Sequence, residues 1–333
     1  VNEAGSLPWL EAPLLAALSY ARRHHALLIH GPQGVGQFEL ALALAQAWLC
    51  EAASADRPAC GACASCKLFA SHNHPDLVVL LPETLREKLG WIVDDGESAV
   101  ESNRSGRKPS KEIKVEAVRQ AVSFSQTSCA RGRAKVVVIH PADRLNAIAA
   151  NTLLKTLEEP PGMARFILVT GDAGALLPTV RSRCQALLVP VPDSDVAVAW
   201  LVQQGVAAPQ VMLAAAGGRP LEAVAWAEDG VDARAWADLP AQVARGEAGG
   251  LAAWPVPRAL EALLKLCHDA LLRHAGVAPR FFSHVPVARD AMTLHAWAKA
   301  LRDAARYAEH PLNPGLLVES LVLQGSRAFV REK

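Results

Sequence analysis

Apolar residues follow two alternating rhythms up to about residue 190 of this chain and a single rhythm after it. Short, continuous apolar runs recur at 26–30, 77–81, 135–139, 166–170 and 186–189. Runs of that length, rich in Val, Ile and Leu, read as strands buried on both faces, as in a parallel sheet. Stretches with helical spacing lie between them, at 10–22, 38–49, 115–126 and 146–158. Such alternation predicts an α/β domain with a parallel sheet and crossover helices. After Pro190-Val191-Pro192 the strand rhythm stops. Helices are expected at 193–203, 210–216 and 220–226, with Gly217-Gly218 as a break, and then through a last block, 233–331. In that block Leu260, Leu263, Leu264, Cys267 and Leu271 mark one core-facing helical stripe. Joints near 191 and 231, marked by Pro and Gly, divide the chain into 1–191, 192–231 and 232–333. The stretch 83–111 fits neither rhythm. It is rich in charge, Ser and Gly, with acidic residues at 94–97 and basic ones at 104–108, and reads as a solvated, mobile insertion.

At 333 residues the chain can build two or three cores. Its 34 Lys and Arg stand against 33 Asp and Glu, so overall charge predicts neither a nucleic-acid nor a membrane partner. DNA contact would have to come from a local patch or a larger assembly. Residues 1–5 lack the basic start of a secretory signal. The longest uncharged stretch, 196–218, is broken by Gln203, Gln204, Gly205, Pro209 and Gln210, so it is no membrane span. A soluble, cytoplasmic protein is expected.

The loop Gly31-Pro32-Gln33-Gly34-Val35-Gly36-Gln37-Phe38 links the first strand to the helix at 38–49. Gly31 and Gly36 occupy the glycine positions of a phosphate-binding loop, G-x-x-x-x-G-K-[ST]. In a working loop the lysine holds the β- and γ-phosphates and the hydroxyl ligates Mg²⁺. Here those two positions hold Gln37 and Phe38, which can do neither. A second gap agrees with the first. The strand at 135–139 should end in acids that hold Mg²⁺ and position water, but it runs into His140-Pro141-Ala142-Asp143. Imidazole suits that hard ion poorly, and proline offers it nothing. Asp143 would have to bend back. Two losses in one mechanism predict a nucleotide-hydrolase fold that no longer hydrolyses. An ordinary strand-to-helix turn is the plainer alternative.

Seven cysteines are unevenly placed. Cys60, Cys63 and Cys66 cluster tightly, and Cys50 ends the helix that precedes them. In a reducing compartment such clustering reads as metal binding rather than disulfides. Four thiolates make a closed tetrahedral site for structural Zn²⁺. Cys50 is the expected fourth ligand, with His72 and His74 as alternatives.

The segment 150–161, Ala-Asn-Thr-Leu-Leu-Lys-Thr-Leu-Glu-Glu-Pro-Pro, reads by itself as an amphipathic helix stopped by a double proline. As a string it resembles the N-x-L-L-K-x-L-E-E-P-P signature of bacterial clamp-loader subunits, AAA+ proteins of the DNA polymerase III assembly. Ser182-Arg183-Cys184 resembles their S-R-C motif, and the cysteine insert and Asn313-Pro314-Gly315-Leu316-Leu317-Val318-Glu319 are similar to theirs. The resemblance spans about 9–323, and only the 83–111 insertion is longer than it leads one to expect.

The resemblance implies a P-loop AAA+ domain, a small helical lid and an all-α collar. It implies a non-hydrolysing subunit assembled with gamma/tau and delta subunits, with structural zinc and no ATP in its own site. Such an assembly loads the sliding clamp on primed DNA. Arg183, the S-R-C arginine, would then reach across an interface to a neighbour's triphosphate; the plainer reading gives Arg181 or Arg183 a surface ion pair. Thr170 matches a polar sensor position. A second sensor arginine is expected where Pro220 stands, with Arg219 one place early. Two other functions stay open: a gamma-like ATPase using unusual residues, and a zinc-dependent DNA-binding module.

Overall fold

The computed structural model describes residues 7–20, 23–52, 57–86, 88–91, 109–306 and 313–330. The chain divides into two compact units, Val1–Val191 and Pro192–Lys333.

The first unit is built on five strands: β1 (Ala26–His30), β2 (Leu77–Leu80), β3 (Lys135–Ile139), β4 (Ala164–Thr170) and β5 (Gln185–Leu188). They lie in the order β2-β3-β4-β1-β5, all parallel. β3 is buried along its whole length, as an unbroken Val-rich run requires. β4 starts at Ala164 rather than 166, because Ala164 and Arg165 pair with Lys135 and Val136. β5 lies one residue earlier than expected, with Leu27 set against Gln185. In such sheets ligands sit at the carboxyl ends of the strands. Here that edge gathers the loop after β1, His140 after β3 and Thr170 at the end of β4.

Around the sheet run α1 (Glu11–Tyr20), α2 (Gln37–Leu49), α3 (Ala64–Ala70), α4 (Glu83–Arg86), α5 (Val115–Ser125), α6 (Ala147–Glu158) and α7 (Pro178–Arg181). Asn146 caps α6, its side chain accepting from the Ala149 amide at 2.9 Å. The face of α6 carrying Ala149, Ala150, Leu153 and Leu157 is buried against the core shared with Val137, Ile139, Phe166 and Leu168. The base of the 83–111 insertion is more ordered than its composition suggests. Glu83 starts α4, accepts from the Ser110 amide at 2.8 Å and pairs with Lys114 at 2.5 Å, closing the base of the loop. The expected acidic and basic runs at 94–97 and 102–108 lie outside the described residues.

The second unit is helical. It comprises α8 (Ser194–Gln203), α9 (Pro209–Ala215), α10 (Pro220–Glu228), α11 (Ala233–Arg245), α12 (Val256–His274), α13 (Ala291–Arg306) and α14 (Pro314–Ser326). The block expected through 233–331 is thus several helices. Gly246, at φ 79°, ends α11 in the left-handed conformation that favours glycine, and Pro255 caps the start of α12. The buried stripe of α12 runs through Leu260, Leu263, Leu266 and Cys267; Leu264 and Leu271 are partly exposed. Trp226 and Trp236 fill the centre of this unit, ring centroids 5.1 Å apart and edge to face. No described helix is long and apolar enough to cross a membrane.

Candidate functional site

The loop after β1 keeps the backbone of a phosphate-binding loop and fills its interior. Only glycine fits at 31, since a Cβ there would lie 2.2 Å from the Val189 carbonyl oxygen. Gly36 has φ 98° and caps α2, and a Cβ there would meet Leu7 and Leu10 at 3.0 Å. Trp9 adds to that cover by donating from Nε1 to the Val35 carbonyl at 2.8 Å.

Gln37 is buried, and its amide nitrogen donates back into the loop, to the carbonyls of Gly31 (2.5 Å) and Pro32 (2.6 Å). A lysine at this position would carry its charge to phosphate. Gln37 instead ties the loop to itself. Phe38, also buried, stacks on His140 with centroids 4.5 Å apart and planes 20° from parallel. Burial, partly opposed by the Asp143 carboxylate, lowers the His140 imidazole to about 4, so it is neutral near pH 7. The hydroxyl position and the position after β3 therefore meet as an aromatic pair. Pro141 follows His140, and Asp143 does not reach back to the loop. It accepts from the Thr170 hydroxyl at 2.7 Å, so the polar residue ending β4 is satisfied locally.

Arg183 follows α7. Its Nη1 donates to the Thr179 carbonyl at 2.8 Å, and its Nη2 donates to Glu158 Oε1 at 3.0 Å. Arg181 is exposed. In the second unit Arg219 donates to the Ala216 carbonyl (2.6 Å) and to Glu261 (2.8 Å), and Pro220 occupies the first turn of α10.

The four cysteines come together. The Sγ atoms of Cys50, Cys60, Cys63 and Cys66 all lie within 4.8 Å of one another, with Cys50–Cys63 at 3.9 Å and Cys60–Cys66 at 4.0 Å. A tetrahedral ion with metal–sulfur bonds of about 2.3 Å needs sulfurs roughly 3.8 Å apart, so the set fits Zn²⁺. Backbone amides turn toward the sulfurs. Cys60 N–H donates to Cys50, Cys63 N–H to Cys60 and Cys66 N–H to Cys63, at 3.3–3.4 Å. Burial raises the Cys63 thiol, but the Cys66 and Glu51 backbone amides, together with the neighbouring Cys66 and Cys60 thiols, outweigh it and bring the group down to about 6, toward the thiolate a metal requires.

The two histidines are engaged elsewhere. His72 stacks on Trp91 at 3.9 Å. His74 accepts from the Asp76 amide at 3.1 Å, which leaves its Nε2 to donate to Ser65 Oγ at 3.2 Å. Ser65 and Arg131 both bond to Glu51, and buried Asp76 takes the Ala130 and Arg131 amides and Lys135 Nζ, the last at 3.0 Å. These contacts fasten the cysteine module to the starts of β2 and β3.

Comparison with known proteins adds the lineage. Residues 10–192 match a family model described as DNA polymerase III, delta subunit. The chain is 34% identical over 284 residues to DNA polymerase III subunit delta' of Escherichia coli K12, covering 81% of this chain and 78% of that one. The chain belongs to the DNA polymerase III delta prime family. The delta prime subunit of Pseudomonas aeruginosa is 34% identical over 220 residues, 65% of this chain; the match spans 60% of that protein's length. Among solved structures, a gamma subunit-related protein of DNA polymerase III from Thermotoga maritima superposes with a TM-score of 0.50 at 15% identity. That match covers 95% of this chain and 99% of the other, and shares its fold.

Within this delta prime family chain, sequence reasoning located the loop, the S-R-C arginine and the cysteines. It missed Leu7, Trp9 and Leu10 as the cover of the loop, and Glu158 as the partner of Arg183. An indole placed just before the first helix was the one available signal for the cover.

Proposed function

We propose that this chain is a non-hydrolysing clamp-loader subunit that lends Arg183 in trans to the ATP site of a neighbouring gamma/tau subunit. The observation that carries the reading is the Phe38–His140 stack, with Gln37 turned onto its own loop carbonyls. Where Mg²⁺ and the γ-phosphate would need oxygen ligands and a cation, two rings and a neutral amide sit. Catalysis, on this reading, is supplied to others. Arg183 lies in the S-R-C motif, and a guanidinium given across an interface stabilises charge on a phosphoryl group in flight. Gamma/tau and delta subunits are the partners, and the sliding clamp on primed DNA is the object of the assembly. We also propose that Cys50, Cys60, Cys63 and Cys66 hold structural zinc. The division into an AAA+ domain to about 191, a lid to about 231 and a collar beyond belongs to the same reading.

The decisive experiment reconstitutes the complex with Arg183→Ala and measures clamp- and DNA-stimulated ATP turnover. Turnover at the site that Arg183 completes should fall on the order of 10³-fold, lowering the total by that site's share with assembly intact. Undiminished turnover would refute the assignment.

A further inference from the structure

We infer that Glu158 is the positioning residue for Arg183, an inference that rests on the reading of Arg183 as the residue lent to a neighbour. The guanidinium is held at two points, Nη1 by the Thr179 carbonyl (2.8 Å) and Nη2 by Glu158 Oε1 (3.0 Å). One acceptor belongs to the helix just before the arginine, the other to the last residue of α6. A backbone carbonyl on one element and a carboxylate on another together orient the plane of a flat, five-donor group. Each terminal nitrogen keeps one further hydrogen, the number a bidentate contact with phosphoryl oxygens uses. Nε is buried with no hydrogen-bond partner among the described residues, so the terminal nitrogens are the ones open to new acceptors.

Helix stability does not account for an acid at this place. Glu158 ends α6 and Glu159 caps it, both at the negative end of the helix dipole, where a cation is favoured. Nor does ion pairing for its own sake, since the Glu158 side chain is 59% exposed and pairs so exposed contribute little to folding. The contact with Arg183 gives the carboxylate a purpose: it stops a long side chain from sampling other rotamers before the interface closes. Orientation fixed in advance is worth rate at the moment of transfer.

The test uses the full complex reconstituted with gamma/tau and delta subunits, with kcat and KM for ATP measured under clamp and DNA stimulation. Glu158→Ala should lower kcat severalfold, at most about fivefold for a pair this exposed, leave KM for ATP nearly unchanged and leave assembly intact. Glu158→Gln keeps an acceptor oxygen toward Nη2 and should recover most of the rate. In an Arg183→Ala background, Glu158→Ala should cost nothing more. A normal or raised kcat for Glu158→Ala overturns the inference; a raised one marks the pair as a latch that the neighbour's phosphate must break. An unaffected Arg183→Ala complex brings down the finger reading itself, a failure distinct from that of Glu158 alone.

Discussion

Phe38 and His140 show how two side chains unsuited to magnesium serve the fold by meeting each other. The stack places an imidazole where it resists protonation, burial lowering it to about 4 while Asp143 pulls weakly the other way. In the unfolded chain the same ring takes its proton near 6.5. Between those values the unfolded state binds a proton that the folded state refuses, so stability is lost as pH falls from about 6.5 toward 4. The loss attributable to this group is up to about 3 kcal/mol. Urea unfolding at about pH 7 and about pH 5 should show it, and His140→Phe, which keeps a ring on Phe38, should flatten the difference. An unchanged pH slope in that variant would remove His140 from the account. A second expectation concerns the loop. Gln37→Lys with Phe38→Thr restores the motif as a string, yet the isolated chain should still not turn over ATP, because His140 remains where a carboxylate is needed. Measured turnover lost again on mutating Asp143 would instead support a hidden ATPase. The sequence made both absences legible. It could not show that the odd residues stack, since nothing local links positions 38 and 140.

At the scale of elements, α2 and α3 illustrate what periodicity catches and what it passes over. α2 was evident from its long apolar run between the glycine loop and Cys50. α3 was not, because seven residues are too few to be stable or periodic alone. Its order comes from Cys63 as N-cap, with the side chain accepting from the Cys66 amide, and from the sulfur cluster. Removing the metal or a ligand should therefore loosen this element first. Protein prepared without chelator should carry about one zinc per chain, and Cys63→Ser should lose it. Hydrogen exchange should then rise across 57–76 while the β1–β4 core stays protected. A zinc-free preparation with the same exchange pattern would end the metal assignment. The insertion's base teaches a related lesson. Charge and Ser content read as loop, but Glu83 finds Ser110 and Lys114 across the base of that loop, and α4 forms there.

For the whole molecule, the change of rhythm near 191 coincides with the joint between the two compact units. Inside the second unit an ion network joins helices on either side of residue 231. Glu261 on α12 pairs with Arg219 and Lys265, and Arg258 pairs with Glu222 on α10 and with Asp229, which caps its end. Lys265 is itself buried, its ammonium 4.5 Å from the Trp226 ring centroid; burial lowers its pKa, and Glu261 opposes that. Glu261→Ala leaves that charge without its carboxylate and should cost about 3–5 kcal/mol in chemical unfolding of this unit. A loss under about 1 kcal/mol would mean the network is ornamental. The sequence by itself determined the α/β-then-helical plan, the glycine loop with its missing cation, the cysteine set and the motif strings, because these are written in periodicity and local composition. Only the tertiary structure decided the pairings: Phe38 with His140, Asp143 with Thr170, Arg183 with Glu158, Arg219 with Glu261. A hydrophobic period says which face of an element turns inward, whereas the partner it meets there depends on how distant segments close on one another.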